Sequence, residues 1–459
     1  MVTAPRFLVR FTARALACLL ALTLASQPAM AQSILRDAET EALLQDMAEP
    51  LVEAAGLRPG NVDVVLVNDP SINAFVAGGQ VVYIHSGLIN AAGSANEVQG
   101  VIAHELGHIT GGHVVSSGDG MRSAQNISIL SLLLGAVAAA AGAGDAAMGV
   151  IMAGQRAALG KYLAFSRVQE SAADAAGAQY LSDAGITGRG SLAFFETLLN
   201  QEYRYARSQS DEAGFNRTHP LSGDRISRLR EAYSRDPAWD TPPDPQLEAR
   251  FQRVRAKLFG YLSEPVRTLR TYPVTDASVP ARYARAYAYH KDARVEAALA
   301  EADALIAINP ENPYFLELRG QVLLESGRPD EALPDLRKAS ALSGSQPLIA
   351  SLFGHALIAT EDASHYDEAE QVLRAAVAKD RLNPFAWYQL GVVYAAKGDM
   401  PRAQLASAEQ QVMTRRYIEA LRNAQRAESE LPVGSADWLR AQDVRMQAQA
   451  ALEREREDS

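Results

Sequence analysis

Residues 101–113, VIAHELGHITGGH, constrain this chain more than any other stretch, because an apolar helix start runs straight into the spacing His, Glu, any, any, His. At about 100° per residue, His104 and His108 stand about 40° apart around a helix, so both imidazoles can reach one small cation. Zinc is the ion that suits such a pair. Glu105 then stands beside the metal and not on it. A carboxylate in that place takes the proton of a water made acidic by zinc, and hydrolysis of a peptide bond is the chemistry this suits. Only 8 of 459 residues are His, so a chance match is uncommon.

A catalytic zinc needs a third protein ligand. His113 is the nearest imbedded candidate in sequence, but a helix carried that far would turn about 900° and send it out opposite His104, which excludes it from the metal shell. The second stretch is SRVQESAADAAG, residues 166–177, where Glu170 and Asp174 stand four apart on a helix of small residues able to pack closely. Glu170 can bind the metal while Asp174 orients a ligand imidazole. His219, in Thr218-His219-Pro220, follows a polar stretch at 204–217 and is biased by Pro220 towards an extended backbone. It is read as a fourth ligand that silences the site, or as a donor to the oxyanion once substrate has displaced it.

The joint HELGH and SRxxExxAD pattern resembles the gluzincin peptidases, the family that includes the CAAX prenyl protease and the HtpX heat-shock protease. The likeness runs from about residue 35 to 230 and takes in Asn73-Ala74-Phe75, Gly78-Gly79, Gly87-Leu88 and Thr218-His219-Pro220. It implies an α+β zincin-type fold with one zinc ion per chain on His104, His108 and Glu170. It also implies Glu105 as general base, with Asp174 either behind a ligand or acting as a proton donor.

The length suggests two or three domains, and a net charge of -10 argues against nucleic acid as a partner. Residues 1–31 read as a cleaved secretory signal: Arg6, Arg10 and Arg14, an apolar run at 15–25, then Ala29-Met30-Ala31. The expected location is the periplasm. Cys18, the single cysteine, falls inside that leader, so the mature chain has no disulfide and no Cys for a structural zinc site. A helix is expected over 37–56, then strands at 62–67, 72–76 and 81–84, the last two flanking Gly78-Gly79. Between the two metal motifs, 127–153 is the most apolar part of the mature chain. Its glycines and Asp145 leave it too short for a membrane span, so it is either a pair of buried helices roofing the site or a surface for peripheral contact with membrane or unfolded client.

From about residue 281 the chain reads as helices with a repeat. Gly320 and Gly354 are 34 apart, as are Ala369 and Ala403, and Trp387, Leu390, Gly391, Tyr394 and Gly398 complete the tetratricopeptide pattern. Three repeats stand out, at 313–346, 347–383 and 384–416, with degenerate ones expected on each side. The expected division is a zinc metallopeptidase domain at 32–260, an all-α tetratricopeptide solenoid at 275–430, and a helical or frayed tail at 431–459. In whole architecture this resembles the periplasmic, repeat-bearing members of the family. That resemblance implies action on unfolded or misassembled outer-membrane proteins, with the repeats docking clients or the barrel-assembly machinery. The alternative is a chaperone or scaffold of outer-membrane assembly whose zinc site is largely self-inhibited.

Overall fold

The structure, a computed structural model, describes residues 33–140, 144–205, 219 and 222–457. The leader expected over 1–31 and most of the polar stretch at 204–217 lie outside those residues.

Strand β1 (Ser33–Leu35) leads into helix α1 (Ala38–Ala54), where the Asp37 carboxylate accepts the Thr40 N–H as an N-cap. Strands β2 (Asp63–Asn68), β3 (Ala74–Ala77) and β4 (Val81–His85) complete one sheet in the order β1-β2-β4-β3. β2 and β4 run parallel, with Asp63 opposite Val81, while β1 and β3 are the antiparallel outer strands. The β3–β4 turn passes through Gly78 and Gly79 at φ 65° and 105°, a region closed to most L side chains.

After the short α2 (Ser86–Ala91) comes α3 (Ala95–Thr110), buried from Ala95 to His108 except at Glu97 and the axis of this half of the molecule. Its start is fixed by a reciprocal cap. Ser94 Oγ accepts the Glu97 N–H, and the Glu97 carboxylate accepts the Gly93 N–H at 2.8 Å. The helix stops at Thr110, and Gly112, at φ 62°, turns the chain into α4 (His113–Ala140), which pairs with the long α5 (Gly144–Asp183).

Small residues set the distance between α3 and α5. A Cβ on Gly107 would stand 2.6 Å from the Ala173 carbonyl oxygen, and one on Gly177 would stand 3.0 Å from the Ala103 carbonyl. Glycine at both places lets the two backbones touch, and that contact brings Glu170 opposite His104 and His108.

The same helices decide between the two readings of 127–153. Ile129, Leu130, Leu132, Leu133 and Leu134 on α4, and Met148 and Met152 on α5, are each half exposed or more. The reading as a buried roof is therefore corrected: the α4–α5 hairpin packs leg against leg and leaves these apolar side chains in solvent. No helix among the described residues is long and apolar enough to cross a membrane.

Helices α6 (Arg189–Tyr205), α7 (Gly223–Ser234) and α8 (Pro245–Leu262) close a core built on Leu43, Met47, Ile84, Val101, Phe194 and Phe251. α8 also carries the chain into the second half, through α9 (Pro265–Thr271) to α10 (Val279–Lys291). There Gly260 lets α8 cross α10 closely, since a Cβ would meet the Ala284 carbonyl oxygen at 2.5 Å.

The rest is a stack of helical hairpins. α10 pairs with α11 (Val295–Ile308), α12 (Pro313–Glu325) with α13 (Pro329–Leu342), and α14 (Pro347–Ala359) with α15 (Tyr366–Lys379). α16 (Pro384–Ala396) pairs with α17 (Met400–Met413), and α18 (Tyr417–Glu430) with α19 (Ala436–Glu457). Asn312, Gln346 and Asn383 cap the first helix of three successive hairpins, each followed by a proline that cannot donate and therefore loses nothing at a helix start. Gly320 and Gly354 leave room for Leu336 and Leu373 of the paired helix. This is the tetratricopeptide unit, and it extends on both sides of the three repeats read from sequence. Of the two states expected for the tail, helical or frayed, the structure has the helical one as far as Glu457, anchored by buried Ala441, Val444, Ala448 and Ala451.

Candidate metal centre

α3 presents His104 and His108 one turn apart, α5 brings Glu170 from across the helix crossing, and His219 enters from the segment before α7. One ligand atom from each of these four buried residues lies within 4.8 Å of the others. His104 Nε2 is 3.2 Å from His108 Nε2, 3.3 Å from His219 Nδ1 and 3.4 Å from Glu170 Oε2. Glu170 Oε1 is 3.5 Å from His108 Nε2 and 3.1 Å from His219 Nδ1. Ligands about 2.0–2.1 Å from a tetrahedral zinc stand roughly 3.3–3.4 Å from one another, so the donor set fits such an ion. Thr218 and Pro220 lie outside the described residues.

Behind this cluster stands a second layer. The far nitrogen of His104, Nδ1, is 3.0 Å from Asp174 Oδ1, and His108 Nδ1 is 2.9 Å from His113 Nδ1. Each far nitrogen thus has a partner that turns its ring so that Nε2 faces the centre. The exclusion of His113 is corrected in its reason: α3 ends at Thr110, so the extrapolated turn never happens, and His113 comes back beside His108. It is still no member of the four-residue cluster.

Arg225, which the sequence reading did not single out, ties this layer together. From the first turn of α7 its guanidinium donates to Asp174 through Nε at 2.7 Å and Nη2 at 2.8 Å, and its Nη1 is 3.0 Å from Glu170 Oε2. No local pattern around residues 222–230 marks it. It is one arginine among several on an amphipathic helix, and only the fold reveals its partners.

The electrostatics follow from this geometry. Burial works against charge on His104, but the Asp174 and Glu170 carboxylates outweigh it and raise its pKa to about 10. Burial together with the neighbouring positive charge of His104 and His219 lowers His108 to about 2. Burial opposes charge on Asp174 and Glu170 as well, yet hydrogen bonds from Arg225 and His104 hold Asp174 down at about 2, and those from His104 and His219 hold Glu170 well below the usual carboxylate range. The cluster therefore favours anionic Glu170 and concentrates positive charge beside it. A divalent cation supplies that charge in place of a proton.

Glu105 behaves oppositely. It is fully buried, burial raises its pKa, and neither carboxylate oxygen accepts a hydrogen bond from the described residues. His219 Nε2 approaches one of its oxygens at 3.5 Å. Glu105 shares a cavity of about 250 Å³ with Phe75 and Val76 of β3, His108, Glu170 and His219, whereas Asp174 lies behind His104 and does not line it.

A buried carboxyl with unused acceptor capacity beside a cation-ready cluster, on one wall of a cleft edged by a β-strand, is the arrangement of a metallopeptidase. Residues 37–233 match Peptidase family M48, and the chain is a metalloprotease built on that domain, followed by tetratricopeptide hairpins. The Beta-barrel assembly-enhancing protease of Escherichia coli (strain K12) is 26% identical over 386 residues, which cover 82% of this chain and 76% of the relative. A relative from Vibrio cholerae is 29% identical over 292 residues, 62% of this chain, and the match spans only 59% of that relative's length. Metalloprotease LoiP of Escherichia coli (strain K12) is 31% identical over 182 residues, 39% of this chain and 65% of its own length.

Proposed function

We propose that this chain is an exported zinc endopeptidase that cuts misfolded or misassembled β-barrel proteins of the outer membrane. In this reading residues 32–260 are the catalytic unit and the repeats at 275–430 dock clients or the barrel-assembly machinery. The observation that carries it is the spacing of His104, His108 and Glu170 about one point, with Glu105 free to accept a proton in the same cavity. The names of the relatives support the choice of substrate, and the expected leader over 1–31 supports the periplasm.

Zinc, when bound, supplies a Lewis acid that polarises the scissile carbonyl and makes water acidic near neutral pH. Glu105 takes the proton of the attacking water and passes it to the leaving amine. Asp174 and Arg225 keep His104 and Glu170 in place, which favours the orienting role for Asp174 over that of proton donor. β3 is an outer strand whose Phe75 and Val76 face the cavity, so an extended substrate can add to its edge with no demand on side-chain identity. The exposed leucines of α4 support peripheral contact of the hairpin with a membrane surface.

The purified, zinc-loaded full-length chain is expected to digest an unfolded outer-membrane protein and to lose that activity on chelation, with recovery on adding zinc. Undiminished digestion after complete metal removal contradicts the mechanism.

The position of His219 favours a second reading, a scaffold whose enzyme is held shut. His219 sits where a catalytic site keeps water, 3.1 Å from Glu170 Oε1 and 3.3 Å from His104 Nε2. As an inhibitory ligand it must withdraw before substrate binds. His219→Ala then keeps zinc and cleaves faster than the parent. As an oxyanion donor its loss slows turnover by about 100-fold or more. Rate and zinc content measured on one preparation separate the two, and a variant equal to the parent in both removes His219 from the mechanism.

A further inference from the structure

A second cavity, of about 390 Å³, shares no lining residue with the metal cleft and lies where β1 and α8 meet the inner helices of the repeat array. Its apolar wall is made by Leu66, Leu258, Leu348 and Leu352, with Ile34 and Phe385 54% and 42% exposed, and charged side chains including Arg36, Lys257 and Glu317 line the rest. Two features of it are out of keeping with a packing flaw.

The first is Glu317 of α12. Its Oε2 is buried and has no hydrogen-bond partner among the described residues. The cation nearest to hand is already committed, since Lys257 Nζ is 2.5 Å from Asp37 Oδ2 and 3.5 Å from Glu39 Oε2, and Arg253 Nε is 2.5 Å from Glu39 Oε1. Arg36, which also lines the cavity, is paired with Glu41 and Asp380, so each of these cations is taken up by another carboxylate and Glu317 forms no ion pair among the described residues. Burial, helped by the charge of Asp37 and Glu39 and only partly relieved by Lys257, pushes its carboxyl up to about 8. Glu317 is partly buried as a residue, but a carboxyl oxygen shut from solvent without a donor is costly, and a cationic group brought in from outside removes that cost.

The second is β1. It is the end strand of the sheet and pairs only with β2 among the described residues, while Ile34 and Leu35 line the cavity. An outer strand beside a pocket is the arrangement by which extended peptides are captured: the backbone adds to the edge and alternate side chains enter the pocket. The opposite edge of the same sheet, β3, faces the metal cluster. Three inter-strand steps of about 4.8 Å separate the two edges, roughly 14 Å.

We propose that this cavity is a client-holding site distinct from the catalytic cleft, which takes an extended segment on the β1 edge and receives one lysine or arginine side chain on Glu317. The repeat array supplies the carboxylate and the peptidase half supplies the strand, so the site exists only where the two meet. One sheet then holds a client at β1 and presents it for cleavage at β3. Holding does not depend on the peptidase chemistry, so the proposal and the enzymatic reading fail separately.

The test is fluorescence polarisation with a labelled nonapeptide of alternating apolar and polar residues and a central lysine. The protein is the full-length chain carrying Glu105→Gln, which keeps the probe uncut. Changing the central lysine to norleucine is expected to weaken binding by about ten-fold or more, and Glu317→Gln to do the same to the lysine probe while leaving the norleucine probe unaffected. Ile34→Asp, at a half-exposed position that folding tolerates, is expected to weaken both probes, with melting temperature as the check on folding. Lysine and norleucine probes that remain equally distinct in Glu317→Gln overturn the proposal, as does binding indifferent to both substitutions. A form starting at Ser33 that binds the probe far more tightly than the full chain also overturns it, because the occupant is then the chain's own amino-terminal segment.

Discussion

Glu105→Gln is expected to keep the metal content of the protein unchanged and to lower peptide-bond hydrolysis by about 100- to 10,000-fold. Glu105 is not a member of the four-residue cluster, so the change removes no ligand. The amide has the shape of the carboxylate but cannot accept the proton of the attacking water. Because neither Glu105 oxygen is hydrogen-bonded by the described residues, the substitution breaks no internal hydrogen bond among them, and it touches only the 3.5 Å approach of His219 Nε2, so folding should be unaffected. Metal analysis and turnover of a quenched peptide, measured on one preparation, check the result. Glu170→Ala supplies the contrast, losing metal and activity together. A Glu105→Gln protein that hydrolyses peptides at the parental rate would assign the base to another group.

The largest effect on stability is expected from Arg225→Ala. The guanidinium is buried, donates two hydrogen bonds to Asp174 and lies 3.0 Å from Glu170 Oε2. Removing it leaves two carboxylates in a protein interior without their counter-charge, which costs about 3–5 kcal/mol by analogy with other broken buried pairs. Urea unfolding of the metal-free proteins at pH 7 measures this directly. The pH dependence has a fixed sign. Asp174 has a folded pKa of about 2, below its ordinary 3.8, so its contribution is fully present above 3.8 and is lost as pH falls through about 2. The gap between parent and Arg225→Ala must therefore narrow over that acid range, and a gap that is constant or grows there rules out the Asp174 pair as its source. With zinc present, the same variant is expected to bind the metal about 10- to 100-fold more weakly, since Asp174 no longer holds His104 firmly. Arg225→Lys restores charge without the paired geometry and should recover only part of either loss.

What could be read from the sequence was what depends on short spacing. His104, Glu105 and His108 share one turn of one helix, and the tetratricopeptide hairpins repeat within 34 residues, so local helical geometry alone places them. Glu170 was readable because small residues beside it announced a close helix crossing, which Gly107 against Ala173 and Gly177 against Ala103 carry out. Other features depend on contacts that no local pattern encodes. Arg225 meets Asp174 across 51 residues, and the reunion of His113 with His108 required the helix to break at Gly111-Gly112, where extrapolation continued it. The stretch 127–153 is apolar around much of its circumference, so composition could not say whether it was buried, and only the hairpin pairing of α4 with α5 leaves its leucines exposed. Glu317 and the β1 edge are each unremarkable in the sequence. They form a site because α8 belongs to the peptidase core and also packs on the repeat array, a juxtaposition fixed by tertiary packing, since the residues it joins lie nearly 300 positions apart in the chain.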